Sequence, residues 1–161
     1  MARPLAPCRW RDVARWCRAT GLRSKMTMKD WLRKHPEVRT IRVAAADLNG
    51  QARGKRIPAR FAENVTKSGT RFPFSVLNLD IWGEDIDDSP LVFEQGDQDG
   101  VLKPTERGFM PMPWLEAPTA LLPIWMFREN GQPYEGDPRH ALNAVVQRYK
   151  ARGLTPVCAV E

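Results

Sequence analysis

Residues 38–55 read VRTIRVAAADLNGQARGK. The opening of this stretch alternates. Ile41, Val43 and Ala45 fall on one face of an extended chain, because successive side chains of a strand point to opposite sides. Asn49-Gly50 then interrupts the pattern. It is the strongest short-range hairpin signal, since a type I′ turn needs φ > 0 at both central positions. A return strand over residues 51–57 follows, with Arg53, Lys55 and Arg56 exposed; charges on an edge strand discourage unwanted pairing. Pro58 opens a helix that runs to Lys67, where its missing N–H costs nothing. Phe61, Ala62 and Val65 face inward on that helix and Gly69 stops it. Strand, hairpin, strand, helix is the opening of a β-grasp, in which a sheet wraps one helix. The fold class expected is α+β.

Upstream, residues 27–35 read as a short helix capped by Thr27, with Trp31 and Leu32 inward and Pro36 as its stop. Downstream, residues 71–79 read as a third strand, and residues 101–103 and 119–127 supply two more. Residues 83–100 are acidic and turn-rich: Glu84, Asp85, Asp87, Asp88, Glu94, Asp97 and Asp99. Their spacing does not match the Ca²⁺-binding EF-hand pattern, so the run reads as a solvated loop.

The last 26 residues, 136–161, read GDPRHALNAVVQRYKARGLTPVCAVE. Asp137 is a good helix N-cap and Pro138 suits the first helical position. Ala141, Leu142, Val145, Val146 and Tyr149 then form one apolar stripe, and Gly153 is a natural stop. Residues 155–160 read as a buried strand ending on Glu161. A helix feeding a buried strand opens an α/β unit, and a core strand needs partners on both sides. The expectation is therefore an incomplete protein, the front of a larger enzyme, with three parts. Residues 1–27 are a basic, unstructured extension, 28–130 a β-grasp domain, and 131–161 the first helix and strand of an incomplete catalytic α/β domain. The Pro- and Gly-rich approach to Asp137 suggests a loosely attached helix.

The formal charge of +6 is confined to the head. Residues 1–25 hold seven Lys/Arg and one acid, which leaves 18 basic against 18 acidic residues in the remainder. A neutral body argues against nucleic-acid binding. There is no apolar run near 18 residues, so no membrane span is expected. Cys8, Cys17 and Cys158 show no framework spacing, which points to a reduced, cytoplasmic compartment. The chain has no G-x-x-x-x-G-K-[ST] phosphate loop and no G-x-G-x-x-G. Residues 50–55 are superficially phosphate-friendly but lie across a hairpin, away from any helix N-terminus. His35 and His140 have no ligand-like neighbours and read as surface residues.

Residues 38–55, 96–103 (GDQDGVLK), 113–120 (PWLEAPTA) and 131–161 resemble, in order and spacing, the N-terminal part of the glutamine synthetase superfamily. The resemblance starts at about Met28. It implies a β-grasp N-terminal domain, with GDPR opening the first helix of the catalytic domain. The following strand carries an E-x-E pair that binds divalent metal, and Glu161 matches the first Glu. For the full-length family this implies Mg²⁺ or Mn²⁺ and ATP, glutamate and ammonia or a polyamine as substrates, and a homo-oligomeric double ring. The 161-residue chain alone is expected to bind no cofactor, to be inactive and not to form that assembly. One departure stands out. Glutamine synthetases proper carry an F-D-G-S-S-like loop whose Asp takes the ammonium proton in a neighbouring subunit's site. Here residues 72–76 read FPFSV, with Pro73 at the Asp position. That pattern resembles the γ-glutamylpolyamine (γ-glutamylputrescine) synthetase branch, where a larger amine replaces ammonium; Trp82 and residues 84–88 could suit a cationic amine. The alternative is a stand-alone β-grasp interaction module that pairs through a sheet edge.

Overall fold

The computed structural model describes residues 27–158. The readings made for the basic head, residues 1–26, and for Glu161 lie outside the described residues. Helix α1 (Met28–Lys34) is followed by strands β1 (Thr40–Ala46) and β2 (Ala52–Pro58), a 3₁₀ turn (Ala59–Phe61) and helix α2 (Ala62–Ser68). Strand β3 (Thr70–Pro73) runs into a second 3₁₀ turn (Phe74–Leu77). Helix α3 (Pro90–Phe93), strands β4 (Asp99–Pro104), β5 (Met110–Pro111) and β6 (Thr119–Phe127), and helix α4 (Pro138–Ala151) complete the order.

The strands form one mixed sheet in the order β2-β1-β6-β4-β3, with β5 added beside β6. β1 and β6 are parallel; every other pair is antiparallel. The sheet wraps α2, whose Ala62 and Val65 are buried against it, and the whole is the α+β, β-grasp arrangement expected. Its core holds Ile41, Val43, Leu77, Leu102, Leu122, Ile124 and Met126, all without solvent contact. Each such side chain contributes roughly 1.5–3 kcal/mol by leaving water.

β6 is the central strand and carries a proline, which a central strand usually rejects. Pro123 sits where the neighbours change. Its carbonyl accepts from the Thr105 N–H, so its missing N–H would point the same way. On that side β5 pairs only with Ala120 and Leu121, and β4 pairs from Ile124 onward. The proline therefore forgoes only the reciprocal bond to the Thr105 carbonyl, at the point where the β4–β6 pairing ends.

Several expectations are corrected. The third strand stops at Pro73, and Phe74–Leu77 coil into a 3₁₀ turn that buries Phe74, Ser75 and Leu77. Phe61 is exposed, because residues 59–61 form a 3₁₀ turn that shifts the helical face by part of a turn. The acidic stretch is interrupted by α3. The Asn49-Gly50 turn is not type I′: only Gly50 has positive φ, at 75°. Residues 155–158 are not a strand. A strand exists only where a neighbour completes its hydrogen bonds, and no strand among the described residues pairs with them.

Candidate functional site

At one end of the sheet two loops are tied together by polar groups. The β1–β2 loop is organised by Asp47, whose side chain is fully buried. Its Oδ1 accepts from the N–H groups of Asn49 (2.9 Å) and Gln51 (2.7 Å), and its Oδ2 from Arg53 Nε (2.8 Å). The Asp47 N–H to Gln51 carbonyl bond closes a three-residue loop with Gly50 in the left-handed region, the second most common hairpin class. A buried carboxylate and a guanidinium with 25% of its side chain exposed thus replace the turn geometry that Asn-Gly alone suggests.

The second loop turns on Asp80, which follows the Phe74–Leu77 turn. Its Oδ1 accepts from the N–H groups of Trp82, Gly83 and Glu84, at 2.8, 2.8 and 2.9 Å. Asn49 Nδ2 joins the loops by donating to the carbonyls of Leu79 (2.9 Å) and Asp80 (3.2 Å). The Arg53 guanidinium lies against Gly83, where a β-carbon would stand 2.8 Å from its Nη1. Burial pushes the Asp47 carboxyl up, but the Arg53 guanidinium and the N–H groups of Gln51 and Asn49 outweigh it and hold the group below the usual carboxylate range. The Glu84 N–H, with those of Trp82 and Gly83, likewise lowers Asp80 against a smaller effect of burial.

Donors occupy both oxygens of Asp47, so it is not free as a general base, whereas Asp80 spends its Oδ1 on three N–H groups. The loop pair presents Leu48, Ile81 and Trp82 to solvent; Trp82 is 83% exposed. Glu84, Asp85, Asp87 and Asp88 beside them are exposed as well. The two hydrogen-bonded loops thus carry an exposed apolar and acidic rim. By sequence Asn49 reads only as a turn residue, and Asp47 and Asp80 are passed over. Their signal is the short polar side chain two to four residues before the N–H groups it accepts, as in D-L-N-G-Q and D-I-W-G-E.

Of the sequence-derived sites, Pro73 lies half-buried on β3, paired with Asp99 and flanked by buried Phe72 and Phe74. No cluster of three or more His, Cys, Asp or Glu suited to a metal ion occurs among the described residues. No helix there is long and apolar enough to cross a membrane. The two histidines are half-buried rather than on the surface. His35 stacks on Trp31 at 4.0 Å, and His140 stacks on Trp125 at 4.8 Å. Their rings are apolar enough on both faces to pack while one nitrogen keeps a partner.

No family model matches the chain. γ-Glutamylputrescine synthetase PuuA of Escherichia coli (strain K12) is 34% identical over 134 residues, which cover 83% of this chain and 28% of that protein. Over that span the chain resembles the N-terminal part of a glutamine synthetase superfamily enzyme. Glutamate–isopropylamine ligase of a Pseudomonas species is 25% identical over 138 residues, 84% of this chain and 30% of that protein. Glutamine synthetase of Methanococcus voltae is 29% identical over 115 residues, 70% and 25% of the two chains. The chain thus spans less than a third of the length of these superfamily relatives. Among solved structures, GmaS in complex with ADP superposes with a TM-score of 0.59 at 22% identity, covering 79% of this chain and 26% of that one. A glutamine synthase homolog gives a TM-score of 0.61 at 24% identity, covering 71% and 27%. These likenesses carry the fold, a mixed β-grasp sheet with few helices.

Proposed function

We propose that this chain is the N-terminal part of an ATP-dependent ligase that joins the γ-carboxyl of glutamate to an alkyl amine such as putrescine. The observation that carries the reading is the 34% identity over 134 residues to a γ-glutamylputrescine synthetase. Pro73 supports it. A carboxylate at that position attracts ammonium and accepts its proton, and proline does neither, so ammonium loses a dedicated partner. A larger amine recovers binding energy from its carbon chain, at about 0.8 kcal/mol per buried CH₂.

In this reading residues 28–130 are the β-grasp domain and 131–161 begin the catalytic domain, with Glu161 contributing one oxygen ligand to a divalent metal. One Glu does not make such a site, because hard cations take six or more oxygens. Mg²⁺ or Mn²⁺ would neutralise phosphate charge during transfer. The γ-phosphoryl group of ATP passes to the glutamate carboxylate. The amine nitrogen then attacks the acyl carbon, phosphate leaves, and the amine gives up a proton. The part of this chain is to hold the rim that carries Trp82 in one shape beside that chemistry.

The test is phosphate release and product mass for the full-length protein with Mg²⁺, ATP, glutamate and, in turn, putrescine, isopropylamine and ammonium. An alkyl amine should exceed ammonium at least tenfold in kcat/KM. Ammonium as the better substrate, or no amide from any of the three, would overturn the reading. The 161-residue chain alone should release no phosphate above a heat-killed control.

A further inference from the structure

Strand β6 runs past the end of its pairing with β1, which stops at Pro123. Beyond it, the backbone of Met126 is completed by the chain that follows. The Met126 N–H donates to Asp137 Oδ2 at 2.9 Å. Its carbonyl accepts from the Tyr134 N–H at 3.0 Å, and His140 Nε2 lies 2.8 Å from the same oxygen. Asp137 is completely buried. Its other oxygen caps α4 through the Arg139 N–H at 2.8 Å, and its carbonyl accepts the His140 N–H at 3.0 Å. The His140 ring, 13% exposed, stacks on Trp125 and meets the edge of Phe127 at 5.0 Å.

One carboxylate therefore serves two elements, as the N-cap of a helix and as the acceptor for a strand N–H. One imidazole three residues later grips the carbonyl of the same strand residue. Helix α4 has 14 residues and buries none of them. A helix of that length is marginal in water on its own. Its order has to come from its first turn.

We infer that Asp137 and His140 clamp α4 to Met126, so that the β-grasp sheet and α4 form one rigid body and α4 leaves the sheet in a fixed direction. The flexible joint expected before Asp137 is thereby replaced by a fixed one. The clamp requires no catalytic role, and its failure is separable from that of the ligase reading.

The test is amide exchange on the whole 161-residue chain at low concentration. In the wild type, the amides of Ala144 to Arg148 should exchange at least 100-fold slower than in an unstructured peptide. His140→Ala and Asp137→Asn should each speed them at least tenfold, while those of Ile41 and Val43 stay unchanged. Gln147→Ala, on the exposed face of the same helix, should leave the rates within threefold. Asp137→Asn keeps one carbonyl acceptor, so it reads out the clamp if Asp137→Ala fails to fold. Unprotected α4 amides in the wild type, or protection unchanged in both variants, would overturn the clamp.

Discussion

Lys55 Nζ on strand β2 donates to the carbonyl of Arg71 on strand β3, 2.9 Å away. These strands are the two edges of the sheet. The bond shows that the sheet curls until its edges nearly meet, and the same ammonium lies 4.9 Å from the centre of the Phe72 ring. Edge strands offer unpaired backbone groups to other chains, and a lysine laid across the seam blunts both at once.

Lys55→Met keeps the aliphatic stem and removes the donor. It should cost about 1 kcal/mol, the usual net worth of one hydrogen bond. Urea unfolding should show a lower midpoint with an unchanged slope. A loss above about 3 kcal/mol would mean that the seam carries far more than one bond and one ring contact.

Asp47 is the buried acid-sensitive group. Its folded pKa lies below its unfolded value. The stability it contributes is therefore present above the ordinary carboxylate pKa and is lost as pH falls through the depressed one. The wild type should lose stability over that acid range, and Asp47→Asn should flatten the slope there. At neutral pH, Asp47→Ala leaves Arg53 and two N–H groups unanswered and should cost about 3–5 kcal/mol, as for a broken buried pair. Chemical denaturation at stepped pH checks both statements.

Gly100 marks a close approach. A β-carbon there would stand 2.8 Å from both Met126 Cγ and Phe74 Cε1. Gly100→Ala should cost about 1–3 kcal/mol through overpacking. Gly54→Ala should be worse, because its β-carbon would fall 1.8 Å from the Val43 carbonyl oxygen, which is backbone and cannot rotate away. Thermal midpoints for the two variants should rank in that order.

The α4 stripe and the sheet core should respond oppositely to truncation. Leu142 is 62% exposed and Leu122 is fully buried. Leu122→Ala should cost about 2–5 kcal/mol, cavity included. Leu142→Ala should stay within about 0.5 kcal/mol, as surface changes do. Equal losses in urea would place Leu142 inside a packed interface.

Local chemistry determined much of this protein before any contact was formed. Thr27 and Asp137 cap helices because a short side-chain oxygen reaches the N–H groups two or three residues on, and both do so here. Ile41, Val43 and Ala45 share a buried face because the strand period is two. The resemblance to the superfamily was equally legible, since it rests on residues in order. Tertiary structure decided what depends on partners distant in sequence. Residues 74–77 left the strand to bury Phe74 and Leu77. Asp47 claimed the hairpin because Arg53, across the loop, could answer its charge in the interior. Lys55 found Arg71 only because the sheet curls, and His140 left the surface because Trp125 and Phe127 offered ring faces beside an open carbonyl. Residues 155–158 illustrate the limit most plainly: their composition is that of a strand, but a strand is a relation between neighbouring chains, and its hydrogen bonds cannot be supplied by the segment itself.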